Sequence, residues 1–162
     1  MSLSEFEIYG QLFLAVVLGA LVGLERRLSK KQAGMRTFAL VSLGSAFFTI
    51  ISNLAAEKFS FSNSFIISQI PSQIVLGIGF IGAGLIIFHR SHLVGLTTAA
   101  GLWVSAAIGM AVGFKLYSLA IFSTFLVFLV FIVFWFVEEK FIGKWESSPY
   151  GENKDLDNSS DV

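Results

Sequence analysis

Residues 70 to 88, Ile-Pro-Ser-Gln-Ile-Val-Leu-Gly-Ile-Gly-Phe-Ile-Gly-Ala-Gly-Leu-Ile-Ile-Phe, are apolar almost without a break and hold four glycines between Gly77 and Gly84. A run of ~20 residues, rising ~1.5 Å each, crosses the ~30 Å hydrocarbon core of a bilayer. Glycine is ~1 kcal/mol poorer than alanine as a helix former, so four this close together need a compensating gain. In lipid that gain is close contact, because small residues let helix backbones approach where no hydrophobic force separates helix from solvent. The stretch therefore predicts a membrane-spanning helix at the centre of a bundle. The letters Gly77, Gly79 and Gly82 also spell G-x-G-x-x-G, the phosphate-binding turn of dinucleotide folds. That turn requires a preceding strand, a following amphipathic helix and an acid ~20 residues on. Leu85 to Phe88 are wholly apolar, and Leu102 and Trp103 stand where the acid belongs, so helix packing is the better reading.

Four further apolar runs flank the central one. With 55% hydrophobic residues, 14% charged and a mean hydropathy of +0.78 over 162 residues, the chain exceeds the apolar share of soluble domains. The reading is an all-α polytopic membrane bundle of five spans, at about 6–24, 37–55, 70–88, 97–114 and 118–137. A polar tail over 138–162 is expected to be cytoplasmic and unable to form a core. The first span has its basic residues behind it, at Arg26 and Arg27, and not in front, unlike a cleaved secretory signal. Zero cysteines exclude disulfides and thiolate chemistry.

Small residues recur at helical spacing. Gln11, Ala15, Gly19 and Gly23 form one i+4 stripe on the first span, and Gly101, Ser105, Gly109 and Gly113 another on the fourth. Together with Gly77, Gly79, Gly82 and Gly84 they are the expected helix-packing positions. The fifth span is instead bulky all round, with Phe122, Phe125 and Phe128 three apart, and is expected at the periphery. An offset of 61 residues aligns Gly23 with Gly84, Gly34 with Gly95 and Thr37 with Thr98, a faint repeat of spans one and two in three and four. Lys and Arg fix the orientation. Nine of them fall in the first loop, at Arg90 and in the tail, against Lys58 and Lys115 on the other side, which predicts an external N-terminus and a cytoplasmic C-terminus.

Gly23-Leu24-Glu25-Arg26, Ala33-Gly34-Met35-Arg36-Thr37, Gln73-Ile74-Val75 with Gly77 to Gly84, and Gly95-Leu96-Thr97-Thr98-Ala99-Ala100 with Leu102 to Gly109 together resemble the MgtC/SapB family of bacterial inner-membrane proteins. The resemblance covers residues 10 to 137. It implies a five-span inner-membrane protein tied to growth in low magnesium and, in some members, to survival inside host cells. It further implies a regulatory role, with the F-type ATP synthase as a partner in some members. Many relatives have Arg where this chain has Gln69 and Val94, so roles for those cations do not carry over. Long members carry a cytoplasmic C-terminal domain, whereas 25 residues follow the fifth span here, so that domain's functions do not carry over either.

The functional candidates are Glu25, Arg36, Gln73, Thr97 and Thr98. Glu25 and Arg36 flank one short loop at the membrane surface, where opposite charges gain from a reduced dielectric, and are expected to form an ion pair or a contact site. Thr97 or Thr98 is expected to cap the fourth span. His89 and His92 could offer two metal ligands, but a metal site wants more, so no metal and no cofactor are expected. No serine or threonine has an evident base, which argues against an enzyme. The expected partners are the lipid bilayer and another membrane protein, with self-association open and nucleic acid excluded. The competing reading is a small transporter of magnesium or another ion. It requires Gln11, Asn53, Gln69, Gln73 and Glu25 to converge on one wet cavity, whereas magnesium prefers carboxylates.

Overall fold

The computed structural model describes residues 3–58, 64–89, 92–138 and 140. It contains five helices, α1 (Leu3–Leu28), α2 (Met35–Lys58), α3 (Ser64–Leu85), α4 (Leu96–Gly113) and α5 (Tyr117–Val137), with two three-residue strands, β1 (Ile87–His89) and β2 (His92–Val94), between α3 and α4. Stretches in α1, α2, α4 and α5 are long and apolar enough to cross a membrane, and α3 contributes a shorter apolar stretch, Gln69–Leu85. The protein is a multi-pass membrane protein built of helices. The expected tail, apart from Glu138 and Lys140, lies outside the described residues, as do Arg90 and Ser91.

Through Phe128 the chain packs as one unit, and its core lies where α1, α2 and α4 meet. Ala15, Leu18 and Val22 of α1, Phe38 and Ala46 of α2, and Leu102, Ala106 and Val112 of α4 are buried there. The small stripes explain how the backbones come so close. A Cβ built on Gly19 would lie 2.7 Å from the Phe38 carbonyl oxygen and 3.0 Å from Ala39 Cα, and one on Gly23 would lie 2.6 Å from Met35 Cα. On α4, a Cβ at Gly109 would strike the Ser42 backbone, and one at Gly113 would lie 2.7 Å from Thr49 Cβ. The α1 and α4 stripes thus converge on α2, which answers with its own small residues Ser42, Ser45, Ala46 and Thr49, all buried.

Here the structure corrects the placement of the third span. α3 packs on α2 and α4, but Cβ atoms built on Gly77, Gly79 and Gly84 would meet nothing within 4 Å. Gly82 alone of its four glycines is near a neighbour, at 3.5 Å from Ala99 Cβ. Close packing needs two matching surfaces, and α2 already has the stripes of α1 and α4 against it. α3 therefore sits on the flank. It also starts before Pro71, which lies inside the helix, and it ends at Leu85. The end of the apolar run becomes β1, paired antiparallel with β2 so that Ile87 faces Val94 and His89 faces His92.

A polar side chain buried in the core is costly without a partner, since lipid and tight packing offer no water. Gln11 Nε2 donates to the Val112 carbonyl at 3.1 Å, Ser105 Oγ to the Phe38 carbonyl at 3.0 Å, and Thr49 Oγ1 to the Ser45 carbonyl at 2.7 Å. The first two bonds tie α1 and α2 to α4, and the third closes back within α2. Ser42 Oγ, wedged among the three helices, is the exception and has no hydrogen-bond partner among the described residues.

α1 and α4 end alike. Lys30 (φ 54°) and Lys115 (φ 62°) take the left-handed conformation. Their amides bond back to Arg27 and Val112, while the next amides, of Lys31 and Leu116, reach Arg26 and Ala111. This six-to-one, five-to-two pattern is the Schellman termination that glycine usually supplies. At the start of α4 the cap is Gly95 (φ 96°), with no side-chain capping bond, and not Thr97 or Thr98 as expected. A Cβ there would strike the Leu85 carbonyl oxygen, so the left-handed backbone and the close approach both require glycine. Early in α5, Ala120 and Thr124 are buried while Phe122 and Phe125 are exposed. From Leu129 onward the chain forms a second unit, in which Phe134, Trp135 and Phe136 are exposed and the Lys140 ammonium stands 5.5 Å from the Phe136 ring centre.

Candidate functional site

The flank position of α3 leaves a cleft of about 660 Å³ between it and α2. Leu40, Phe48, Ile74 and Ile81 are among its apolar walls, and Arg36, Thr37, Ser45 and Gln73 supply the polar groups. Gly44 of α2 and Gly77 of α3 both line it, and a Cβ built on either would meet nothing within 4 Å. The cleft therefore owes part of its width to two missing side chains. Consecutive helices joined by a short connection run antiparallel, so Arg36, in the first turn of α2, stands at the Ile81 end and Gln73 toward the Phe48 end. The structure thus brings two sequence candidates, Arg36 and Gln73, to one cleft at different depths.

Glu25 is elsewhere. Its carboxylate accepts hydrogen bonds from the Arg26 Nε and, at 2.7 Å, from Ser29 Oγ, and both Glu25 and Arg26 are buried. The expected Glu25–Arg36 pair is not formed. The acid is satisfied by a neighbour and by the residue one turn on, which costs less ordering than a bond across the loop. Arg36 is exposed and opens onto the cleft. Thr98 is buried in α4 and Thr97 exposed, so the two adjacent threonines face different surroundings. Gly101 is buried in α4 as well.

The polar residues that a transport cavity would need are scattered. Gln11 and Asn53 both bond to carbonyls at the end of α4, Val112 and Gly113. Glu25 lies 14 residues further along α1 than Gln11, which is ~21 Å of helix. Near the Gln11 end, Lys115 Nζ lies 2.9 Å from Glu7 Oε1. The hydrogen bond that it donates to Glu7 raises the lysine pKa above its ordinary value. Among the described residues no three His, Cys, Asp or Glu side chains are grouped to hold a metal ion. The sequence reading missed Gly44 and Ser42. Gly44 follows the α1 and α4 glycines in type but stands alone on its helix, and Ser42 is small without being glycine.

The model of the MgtC family matches residues 12–140. The chain belongs to the MgtC family. It is 41% identical over 121 residues to a protein of Escherichia coli (strain K12) named putative magnesium transporter YhiD, a match covering 70% of this chain and 54% of that one. Protein SrpB of Synechococcus elongatus is 39% identical over 123 residues, covering 71% of this chain and 68% of its own. Protein MgtC of Brucella abortus is 42% identical over 110 residues, covering 68% and 44% respectively. The chain thus spans about half the length of YhiD and of the Brucella protein. No solved structure matches. Both the α1–α2–α4 core and the α2–α3 cleft fall within the region that defines the MgtC family.

Proposed function

We propose that this MgtC-family chain is a regulatory protein of the bacterial inner membrane, linked to magnesium limitation or intracellular survival, that acts through helix contacts with another membrane complex. The observation that supports this reading is the outward set of α3 glycines. A Cβ built on Gly79 or Gly84 would meet nothing among the described residues, yet each glycine weakens the helix by ~1 kcal/mol relative to alanine. On α1 and α4 the same expense is met by internal packing. On α3 a helix from outside the chain would meet it in the same way. Phe80, beside Gly79 and 85% exposed, gives that surface a large anchor. The F-type ATP synthase is the partner class that the family resemblance suggests.

Transport is the competing reading, and it draws on the name of the Escherichia coli relative. The separation of Glu25 from Gln11 and Asn53 favours regulation. The test joins magnesium flux through the purified chain in liposomes with complementation of growth in low magnesium. Regulation predicts no flux above that of empty liposomes, restored growth with the wild type, and lost growth with Gly79→Leu at equal membrane abundance. Selective magnesium flux would overturn the proposal in favour of transport.

A further inference from the structure

We propose that the α2–α3 cleft binds an anionic phospholipid of the surrounding bilayer, with an acyl chain between the helices and the phosphate at Arg36. The inference does not depend on the regulatory reading, since it concerns a different surface of α3. Volume is the first argument. About 660 Å³ falls in the ~300 to 1,000 Å³ range of sites that enclose one small ligand, whereas a helix of ~10 Å diameter would rest across such a cleft without filling it. Shape is the second. Gly44 and Gly77 keep the cleft open with bare backbone, which admits a chain one methylene wide.

Charge complementarity selects the headgroup. Arg36 lines the cleft at one end, has no ion-pair partner among the described residues, and sits in a first helical turn that contains no acid. Arg27, Lys30 and Lys31, all exposed, lie in the chain leading up to it. The one nearby acid in sequence, Glu25, is already bonded to Arg26 and Ser29. A cation at the mouth of an apolar slot between membrane helices, with a basic loop leading to it, favours phosphate over a zwitterionic or neutral headgroup.

The test uses the purified full chain in a mild detergent, with phosphatidylglycerol or phosphatidylcholine of identical acyl chains added. At ~100 times Kd, phosphatidylglycerol is expected to raise the thermal midpoint ~5 °C further than phosphatidylcholine does. Arg36→Gln should remove that difference, and Gly44→Leu should remove the rise with either lipid. A difference that survives Arg36→Gln would overturn the proposal, because the basic loop alone would then account for it. A second measurement needs no variant. Phosphatidylglycerol with a photoreactive group in mid-chain should label the cleft faces of α2 and α3 in preference to α5. Equal labelling of α5 would overturn the site, and so would exclusion of the label by a protein that crosslinks to the cleft in native membranes.

Discussion

Both oxygens of Glu25 are engaged at the end of its own helix, one by Arg26 and the other by Ser29. With Arg26 4% and Glu25 8% exposed, removing the acid breaks a buried ion pair, which costs ~3 kcal/mol or more. Losing an exposed charge such as Arg36 costs ~0.5 kcal/mol or less. Glu25→Gln is therefore expected to destabilise the detergent-solubilised chain by several kcal/mol, and Glu25→Gln with Arg26→Gln to recover part of the loss. Arg36→Gln should be nearly neutral. Denaturation curves of the three variants decide, and an Arg36→Gln loss as large as that of Glu25→Gln would reinstate a bond across the loop. Lys115 behaves differently. Its pKa is raised by the hydrogen bond to Glu7, so the pair's stabilisation is complete below the unfolded value of ~10.4 and disappears as pH climbs through the higher folded value. The pair is open to solvent, where such contributions are small. Lys115→Met should lower the thermal midpoint at pH 7 only slightly, by the pair's own share, and abolish that share of the alkaline loss. A fall of many degrees at pH 7 would show that the contact is structural.

The helices differ in how much of their environment can be read along the chain. At Gly109 an added methyl group meets the Ser42 backbone, and overpacking of this kind costs ~1 to 3 kcal/mol. At Gly79 it meets open space, so Gly79→Ala gains up to ~1 kcal/mol of helix propensity. The two substitutions should shift the thermal midpoint in opposite directions, and a common sign would contradict the flank position of α3. The i+4 stripes made the packing faces of α1 and α4 visible, because spacing reports which residues share a face. Spacing does not report which neighbour that face meets, and three of the four glycines of α3 face open space for that reason. The α2 face was harder to see, since Ser42, Ser45, Ala46 and Thr49 are small without being glycine. The hairpin was illegible as well. Leu85 to Phe88 read equally well as the end of a helix or as a buried strand, and at the entry to α4 a Cβ on Gly95 would strike the Leu85 carbonyl. The faint repeat also fails at this level, for Gly23 is packed and its counterpart Gly84 is open. In the candidate site, Arg36 and Gln73 were visible as polar residues at membrane depth, but the cleft joining them depends on Gly44, which no periodic signal marks.

For the molecule as a whole, the first loop and the α3–α4 hairpin lie on one side, because a Cβ at Gly95 would stand 3.2 Å from Gln32 Oε1. That side carries Arg27, Lys30, Lys31 and Arg36, and the bias toward basic cytoplasmic loops predicts that it faces the cytoplasm. Reporter fusions at Val162 and within the connection at Ser62 should give cytoplasmic and external signals respectively, and the reverse pattern would contradict the orientation. The core of α1, α2 and α4 is closed on itself, while α3 turns Gly79, Phe80 and Gly84 outward. That surface carries the claim of contact with another membrane complex. It is tested by replacing Phe80 with a photoreactive phenylalanine analogue in native membranes, with Phe122 of α5 as the control position. A discrete adduct with another membrane protein from position 80 and none from position 122 is the predicted result, whereas lipid adducts alone at position 80, or the same protein adduct at both, would contradict it.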